Sequence, residues 1–193
     1  NFSGKRIFVT GADGVIGSHL TERFLREGAE VSVLLEPDHQ LPASWEDRVK
    51  VFRGDLADKD SLSGLPSGME AVLHLAAYVH KPEKTARQRD RLWKVNVEGT
   101  RNLLEAFSDN AGHFVYYGSI GVYDGIKGEG KVDENSPVKP ANLYTESKLE
   151  AERLVRQFGD KKAFMATVLR LPFVYGPGNK GNILKMMKAV DKE

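Results

Sequence analysis

At 193 residues, with 40% hydrophobic and 28% charged residues and a net charge of +1, the chain has the make-up of one globular domain with a real core. The small net charge removes any bulk electrostatic case for nucleic acid or a membrane surface, and the absence of cysteine excludes disulfides, thiolate nucleophiles and cysteine metal sites. No apolar run approaches transmembrane length and the N-terminus enters a strand at once, so a cytoplasmic protein without a signal peptide or a membrane anchor is expected.

The first element, Arg6-Ile7-Phe8-Val9, is a short apolar run that reads as a buried strand. Thr10-Gly11-Ala12-Asp13-Gly14-Val15-Ile16-Gly17 follows without a gap, and Ile16, Leu20, Phe24 and Leu25 then recur at helical spacing up to Gly28, a helix stop. Glycine is needed where a chain turns tightly and where backbone must approach a phosphate or pack a helix on a strand. The helix that opens after such a turn offers unpaired N–H groups and the positive end of its dipole to a pyrophosphate. Strand, Gly-x-x-Gly-x-x-Gly turn and helix together read as a nucleotide cradle.

Further strands are predicted at Val31–Leu35, Val49–Arg53, Ala71–Leu75, Phe114–Tyr117 and Ala166–Arg170, with amphipathic helices at Leu92–Phe107 and Tyr144–Phe158. This alternation predicts an α/β fold of Rossmann type, a doubly wound parallel sheet with helices on both faces and ligands at the C-terminal strand ends. Gly121–Pro140 is a polar, glycine- and proline-bearing excursion, long enough for a functional loop. Asn182–Val190 has the look of a helix beginning near the chain's last residue.

Tyr144 and Lys148 stand four apart at a helix start and share one face. A tyrosine hydroxyl with a pKa near ~10 is a poor base at neutral pH, and a neighbouring ammonium is expected to favour the phenolate and lower that pKa. Ser119, at the end of the fifth strand, can hydrogen-bond a substrate oxygen. The glycine turn, Ser119 and the Tyr144/Lys148 pair are all expected at one sheet edge.

These residues, taken in order, resemble the extended short-chain dehydrogenase/reductase superfamily, in its NAD-dependent epimerase/dehydratase branch. The resemblance runs through Thr10–Gly17, Gly54-Asp55-Leu56, His74-Leu75-Ala76-Ala77, Val95–Thr100, Ser119 with Val122-Tyr123, Asp133-Glu134, Tyr144–Lys148 and Arg170–Gly178. It implies that Tyr144 exchanges a proton with a substrate hydroxyl or carbonyl, that Lys148 tunes it and bonds the nicotinamide ribose, and that Ser119 orients the reacting oxygen. Cofactor contacts are implied for Gly11, Asp13, Gly14, Val15, Ile16 and Gly17, for Asp55 on the adenine amino group with Leu56 beside the ring, and for Leu75, Ala76 and Ala77 along the cofactor path. Asn96 matches a position that helps hold the active-site architecture.

An acid about 20 positions beyond the glycines binds the adenosine ribose and repels a 2′-phosphate. Glu36 stands near that place, one residue after the position usual in NAD-using relatives, and points to NAD rather than NADP. Gly118-Ser119-Ile120-Gly121 lacks the Thr-Asp-Glu of the dehydratases, which demotes dehydration. Tyr175–Leu184 resembles the substrate-diphosphate segment of nucleotide-sugar 4-epimerases, where Asn182 would contact the substrate, whereas Phe173 departs from the asparagine many of them carry.

The expected activity is therefore an NAD-dependent nucleotide-sugar 4-epimerase or its N-terminal domain. Two other readings stay open: an NAD(P)-dependent reductase of a keto-sugar or other carbonyl, and a non-catalytic dinucleotide sensor. Residues 1–193 are expected to form a single dinucleotide-binding domain, with 179–193 the start of a largely absent C-terminal substrate domain. The resemblance also implies a homodimer through the two long helices, with Leu103, Leu104, Phe107, Leu149 and Leu154 available to an interface or to the chain's own core. The scattered histidines suggest no metal site.

Overall fold

The computed structural model describes residues 1–79, 85–109, 111–126, 131–161, 164–178 and 190. Six strands form one sheet: β1 (Arg6–Thr10), β2 (Glu30–Leu35), β3 (Val49–Arg53), β4 (Met69–His74), β5 (Ala111–Ser119) and β6 (Met165–Leu171). Their order is β3-β2-β1-β4-β5-β6, and every pairing is parallel. The chain thus starts at the centre, winds out to β3, crosses back to β4 beside β1 and winds out the other way. That order is the doubly wound Rossmann arrangement, and its switch point lies between the C-terminal ends of β1 and β4.

Alternation along β1 shows how the sequence makes two layers. Ile7 and Val9 face one way and join Phe24, Val31, Val33 and Trp45 in a core on the side of helix α1 (Val15–Arg26). Phe8 faces the other way, into a core with Val72, Phe114, Tyr116, Leu103, Phe107 and Leu154. A strand buried on both faces reads as a continuous apolar run, as β1 does. Helix α1 ends as expected at Gly28, whose φ of 80° is the left-handed conformation that glycine adopts without strain.

The second core is closed by two long helical stretches. The first runs from α2 (Ala86–Trp93), capped by a Thr85/Gln88 box, through a wide π turn (Lys94–Glu98) into α3 (Gly99–Phe107). It begins one and a half turns earlier than the predicted helix, because the charged 86–91 stretch carries little apolar signal. The second is α4 (Leu143–Asp160), capped by an Asn142/Thr145 box.

Leu103, Leu104, Phe107, Leu149 and Leu154 are all buried within the chain, so these five residues serve its own core rather than an exposed helix face. The predicted Gly121–Pro140 excursion opens with a short 3-10 turn (Ile120–Tyr123) directly after Ser119. The expected helix at 182–190 falls almost wholly outside the described residues. No helix among those described is long and apolar enough to cross a membrane.

Candidate active site

The switch point opens into a cleft of about 560 Å3 lined by Gly11, Gly14, Val15, Ile16, Gly17, Leu75 and Ala77 on one side and by Ser119, Tyr144 and Lys148 on the other. A second hollow of about 280 Å3 continues from it, sharing Gly11, Gly14, Leu75 and Ala77 and adding Asp13, Glu36, Leu56 and Ala76. The residues predicted for cofactor contact therefore lie along one track, with two exceptions. Asp55 and Asn96 line neither hollow. Asn182, the predicted substrate contact, lies outside the described residues.

The glycine turn is tight for reasons that leave no room for side chains. Gly11 has φ of 66°, and a Cβ there would stand 2.7 Å from the Ala76 nitrogen. A Cβ on Gly17 would stand 2.0 Å from the Gly11 carbonyl oxygen. Helix α1 begins after Gly14 with no side-chain cap and no acid in its first turn, so its leading N–H groups face the cleft without a protein acceptor of that kind. A dinucleotide pyrophosphate fits this cradle: bare amides, a helix N-terminus and glycine backbone at the floor.

At the far end of the second hollow, Glu36 and Asp13 present carboxylates. His39, which sequence reasoning passed over, bonds Asp13 Oδ2 through Nδ1 at 2.5 Å and has Nε2 4.0 Å from Glu36 Oε2. Arg53 holds the loop by donating to the carbonyls of Glu36, Pro37 and His39. Asp55 is committed elsewhere: its Oδ2 pairs with Arg91 at 2.8 Å and its Oδ1 accepts from the Ala57 N–H. Burial opposes the charge, but the Arg91 bond and the Ala57 N–H together hold the Asp55 carboxyl below its usual range. An adenine amino group would share that carboxylate with Arg91.

Ser119 ends β5 and caps the turn that follows, its Oγ accepting from the Gly121 N–H at 3.1 Å. The hydroxyl proton remains to be donated. A Cβ on Gly121 would meet Thr145 Cγ2 at 2.7 Å, so the Ser119 turn lies directly against the first turn of α4. Tyr144 and Lys148 share one face of α4, as predicted.

Their electrostatics differ from the expectation. Burial pushes the Tyr144 phenol up rather than letting a neighbouring ammonium pull it down. The Lys148 side chain is itself buried, and that burial pushes it down to about 7. In this environment desolvation outweighs pairing, and Tyr144 is the protonated partner at neutral pH.

Behind the cleft runs a chain of buried hydrogen bonds. Ala76 N–H donates to Thr10 Oγ1 at 3.2 Å, Thr10 Oγ1 meets His74 Nδ1 at 2.7 Å, and His74 Nε2 meets Thr100 Oγ1 at 2.9 Å. Thr100 donates to the Asn96 carbonyl at 2.7 Å, which leaves its oxygen to accept from His74. The imidazole is therefore the Nε2–H tautomer, with Nδ1 accepting from Thr10. Burial, seconded by the Lys148 charge, pushes His74 down to about 3 and keeps it neutral.

Asn96 is spent on the same framework. Its amide clasps the Tyr78 backbone at 2.7 and 3.1 Å and donates to Ser147 Oγ at 3.0 Å, and Ser147 donates to the Tyr144 carbonyl. It thus acts on the site through α4 and through the strand end after β4. Its place in the π turn is in keeping with the tendency of such turns to fall at functional sites.

Comparison with known proteins agrees with this geometry. Residues 7–192 match the sequence profile of the NAD dependent epimerase/dehydratase family. The chain is 31% identical over 194 residues to the 3 beta-hydroxysteroid dehydrogenase/Delta 5-->4-isomerase of Mycobacterium tuberculosis, covering 97% of this chain and 52% of that protein. It is 30% identical over 183 residues to the UDP-glucose 4-epimerase of Lactobacillus helveticus, covering 92% and 54%.

Among solved structures, the UDP-glucuronic acid 4-epimerase from Bacillus cereus in complex with NAD superposes with a TM-score of 0.74 at 29% identity, over 89% of this chain and 57% of that one. The chain spans about half the length of the curated relatives it matches. With its strand order, its glycine-floored cleft and a match over nearly all its residues, the chain belongs to the NAD dependent epimerase/dehydratase family.

Proposed function

We propose that this chain is the dinucleotide-binding portion of an NAD-dependent nucleotide-sugar 4-epimerase. The observation that carries the reading is the meeting of Ser119, Tyr144 and Lys148 with the Gly11–Gly17 turn on one cleft. When bound, NAD supplies the hydride acceptor and donor for the sugar carbon; the protein supplies position and proton traffic. Gly11, Gly14 and Gly17 with the first amides of α1 hold the pyrophosphate. The carboxylates of Glu36 and Asp13 face the adenosine end of the track and disfavour a 2′-phosphate, which is the support for NAD over NADP.

Ser119 donates its one free proton to the reacting oxygen, because its acceptor side is taken by Gly121. Tyr144 Oη takes the hydroxyl proton as the carbon is oxidised and gives it back as the carbon is reduced, so the cycle is balanced with no net redox change. Lys148, half-titrated near neutrality, supplies positive charge beside the phenolate when that forms. Asn182 is assigned the substrate diphosphate, and sugar selection lies with it and neighbouring residues from 179 onward.

A second reading, a dehydrogenase or reductase of another carbonyl compound, is favoured by one specific finding, the 31% identity to a hydroxysteroid dehydrogenase. The experiment is a calorimetric titration with NAD and NADP, followed by UDP-glucose with NAD present. Epimerisation interconverts the sugars with no net reduced cofactor, whereas a dehydrogenase accumulates it. Tyr144→Phe should abolish turnover and leave NAD binding intact; unchanged turnover would defeat both enzyme readings.

A further inference from the structure

Val122-Tyr123, Asp133-Glu134 and Arg170 belong to the ordered set of matched residues, yet the chemistry above uses none of them. The structure brings three of these residues to one point. Arg170 lies on β6 opposite Gly118, one register step from Ser119. Its Nε donates to Glu152 Oε2 at 2.9 Å and its Nη2 to Glu152 Oε1 at 2.5 Å, a two-pronged clasp on a carboxylate whose side chain is only 3% exposed. Its Nη1 donates to Tyr123 Oη, and its Cζ stands 5.0 Å from the centre of the Tyr123 ring. Tyr123 Oη in turn donates to the Asp133 carbonyl at 2.6 Å. Arg156 adds a further bond to Glu152 at 3.1 Å from the helix surface.

A buried ion pair is a poor device for stability alone, since well-packed apolar residues of the same size do as well or better. What a guanidinium offers is a rigid planar fork that fixes several partners at once. Here the partners sit just beyond the candidate residues. Tyr123 follows Ser119 within the turn that Ser119 caps. Glu152 lies one helical turn beyond Lys148 and two beyond Tyr144, on the buried side of α4. The Asp133 carbonyl belongs to the returning arm of the loop, which hydrogen-bonds the same turn through Lys139 N–H to Val122 O and Gly125 N–H to Lys139 O.

We propose that Arg170 is a positioning residue which, through Glu152 and Tyr123, sets the placement of the Ser119 hydroxyl against the Tyr144–Lys148 helix. The inference rests on the reading that Ser119, Tyr144 and Lys148 act on one substrate oxygen. Loss of the fork lets the Ser119 turn and α4 drift apart while the glycine cradle, on the other side of the switch point, stays as it is.

The test uses the full chain with Tyr123→Phe, Arg170→Lys and the double variant Glu152→Met/Arg170→Met. Three quantities are read: NAD affinity by calorimetry, hydrogen exchange at the Gly121 amide, and kcat and KM for UDP-glucose. Tyr123→Phe is expected to keep its melting temperature and NAD affinity, to exchange Gly121 faster, and to lose about 10–100-fold in kcat with KM nearly unchanged. Arg170→Lys should fall between, because an ammonium cannot serve Glu152 and Tyr123 in one fork. The double variant should fold and bind NAD yet lose kcat at least as far as Tyr123→Phe.

Unchanged Gly121 exchange and kcat in Tyr123→Phe and Arg170→Lys would overturn the proposal, as would activity losses that merely track the unfolded fraction. If the wild type binds NAD but turns over no sugar, the proposed function fails by itself, and Gly121 exchange in the variants decides the positioning role.

Discussion

The Lys148 ammonium nitrogen lies 4.3 Å from the centre of the Tyr116 ring, and the Tyr116 hydroxyl donates to the Lys148 carbonyl at 3.4 Å. One buried tyrosine on β5 thus holds both ends of the lysine that the cleft exposes only at its tip. The ring face offsets a part of what the ammonium loses on leaving water, but desolvation still dominates and the group titrates near neutrality.

Lys148 should therefore weaken the fold. With its pKa depressed from 10.5 to about 7, the folded chain binds fewer protons than the unfolded chain between those values, so this group makes stability rise with pH across that window. Lys148→Met is expected to raise stability at pH 7 by about 1–3 kcal/mol, to flatten the slope up to pH 10 and to abolish turnover. Urea melts at a series of pH values check the first two.

His74 acts in the same sense at lower pH. Its folded pKa of about 3 lies below its ordinary 6.5, so the unfolded chain takes up the proton first and stability falls as pH drops from 6.5 towards 3. The slope from this one group approaches about 1.4 kcal/mol per pH unit. His74→Leu should remove that part of the slope and cost about 1–3 kcal/mol at pH 7, because the Thr10 and Thr100 hydroxyls lose their partner. Denaturation of wild type and variant between pH 4 and 7 measures both.

Gly17→Ala forces a methyl group to within 2.0 Å of the Gly11 carbonyl, and backbone on both sides must move. It should lower stability by about 2–4 kcal/mol and abolish NAD binding in calorimetry. Gly64→Ala, where a Cβ meets nothing within 4 Å, is the matched control and should change stability by less than ~0.5 kcal/mol.

Glu36→Gln should narrow any preference for NAD over NADP. The side chain is half exposed, so the charge is worth about 0.5–1 kcal/mol, or roughly 2–5-fold in the ratio of dissociation constants. The change should be larger at low salt, which titrations at two ionic strengths will show.

Much of this was legible in the residues. β1, the glycine turn and α1 are contiguous, and local pattern decides them. Tyr144 and Lys148 are one helical turn apart, so their shared face follows from helix geometry. What stayed hidden depends on burial or on distant segments.

The direction of the Tyr144 shift could not be read from spacing, because it is set by how much protein covers the phenol. The pairing of Asp55 with Arg91 and of Glu152 with Arg170 joins residues from different elements. Glu152 did carry a signal, a third polar residue at helical spacing after Tyr144 and Lys148 on a face otherwise made of Leu149, Ala151 and Val155. The apolar stripe of α3 and α4 was legible as a stripe, but whether it faces the chain's own sheet or another molecule is a matter of tertiary packing.

The buried run from Ala76 through Thr10, His74 and Thr100 to the Asn96 carbonyl has only one arrangement of hydrogens, every donor pointing the same way. The shorter run from the Asn96 amide through Ser147 stops likewise at the Tyr144 carbonyl. Both are one-way streets that end on backbone oxygens, and reversing either would require an imidazolium or a lost bond in a sealed interior. Neither can carry charge away from the phenol of Tyr144. The interior of the protein is an insulator at this point, and traffic in protons is confined to the mouth of the cleft.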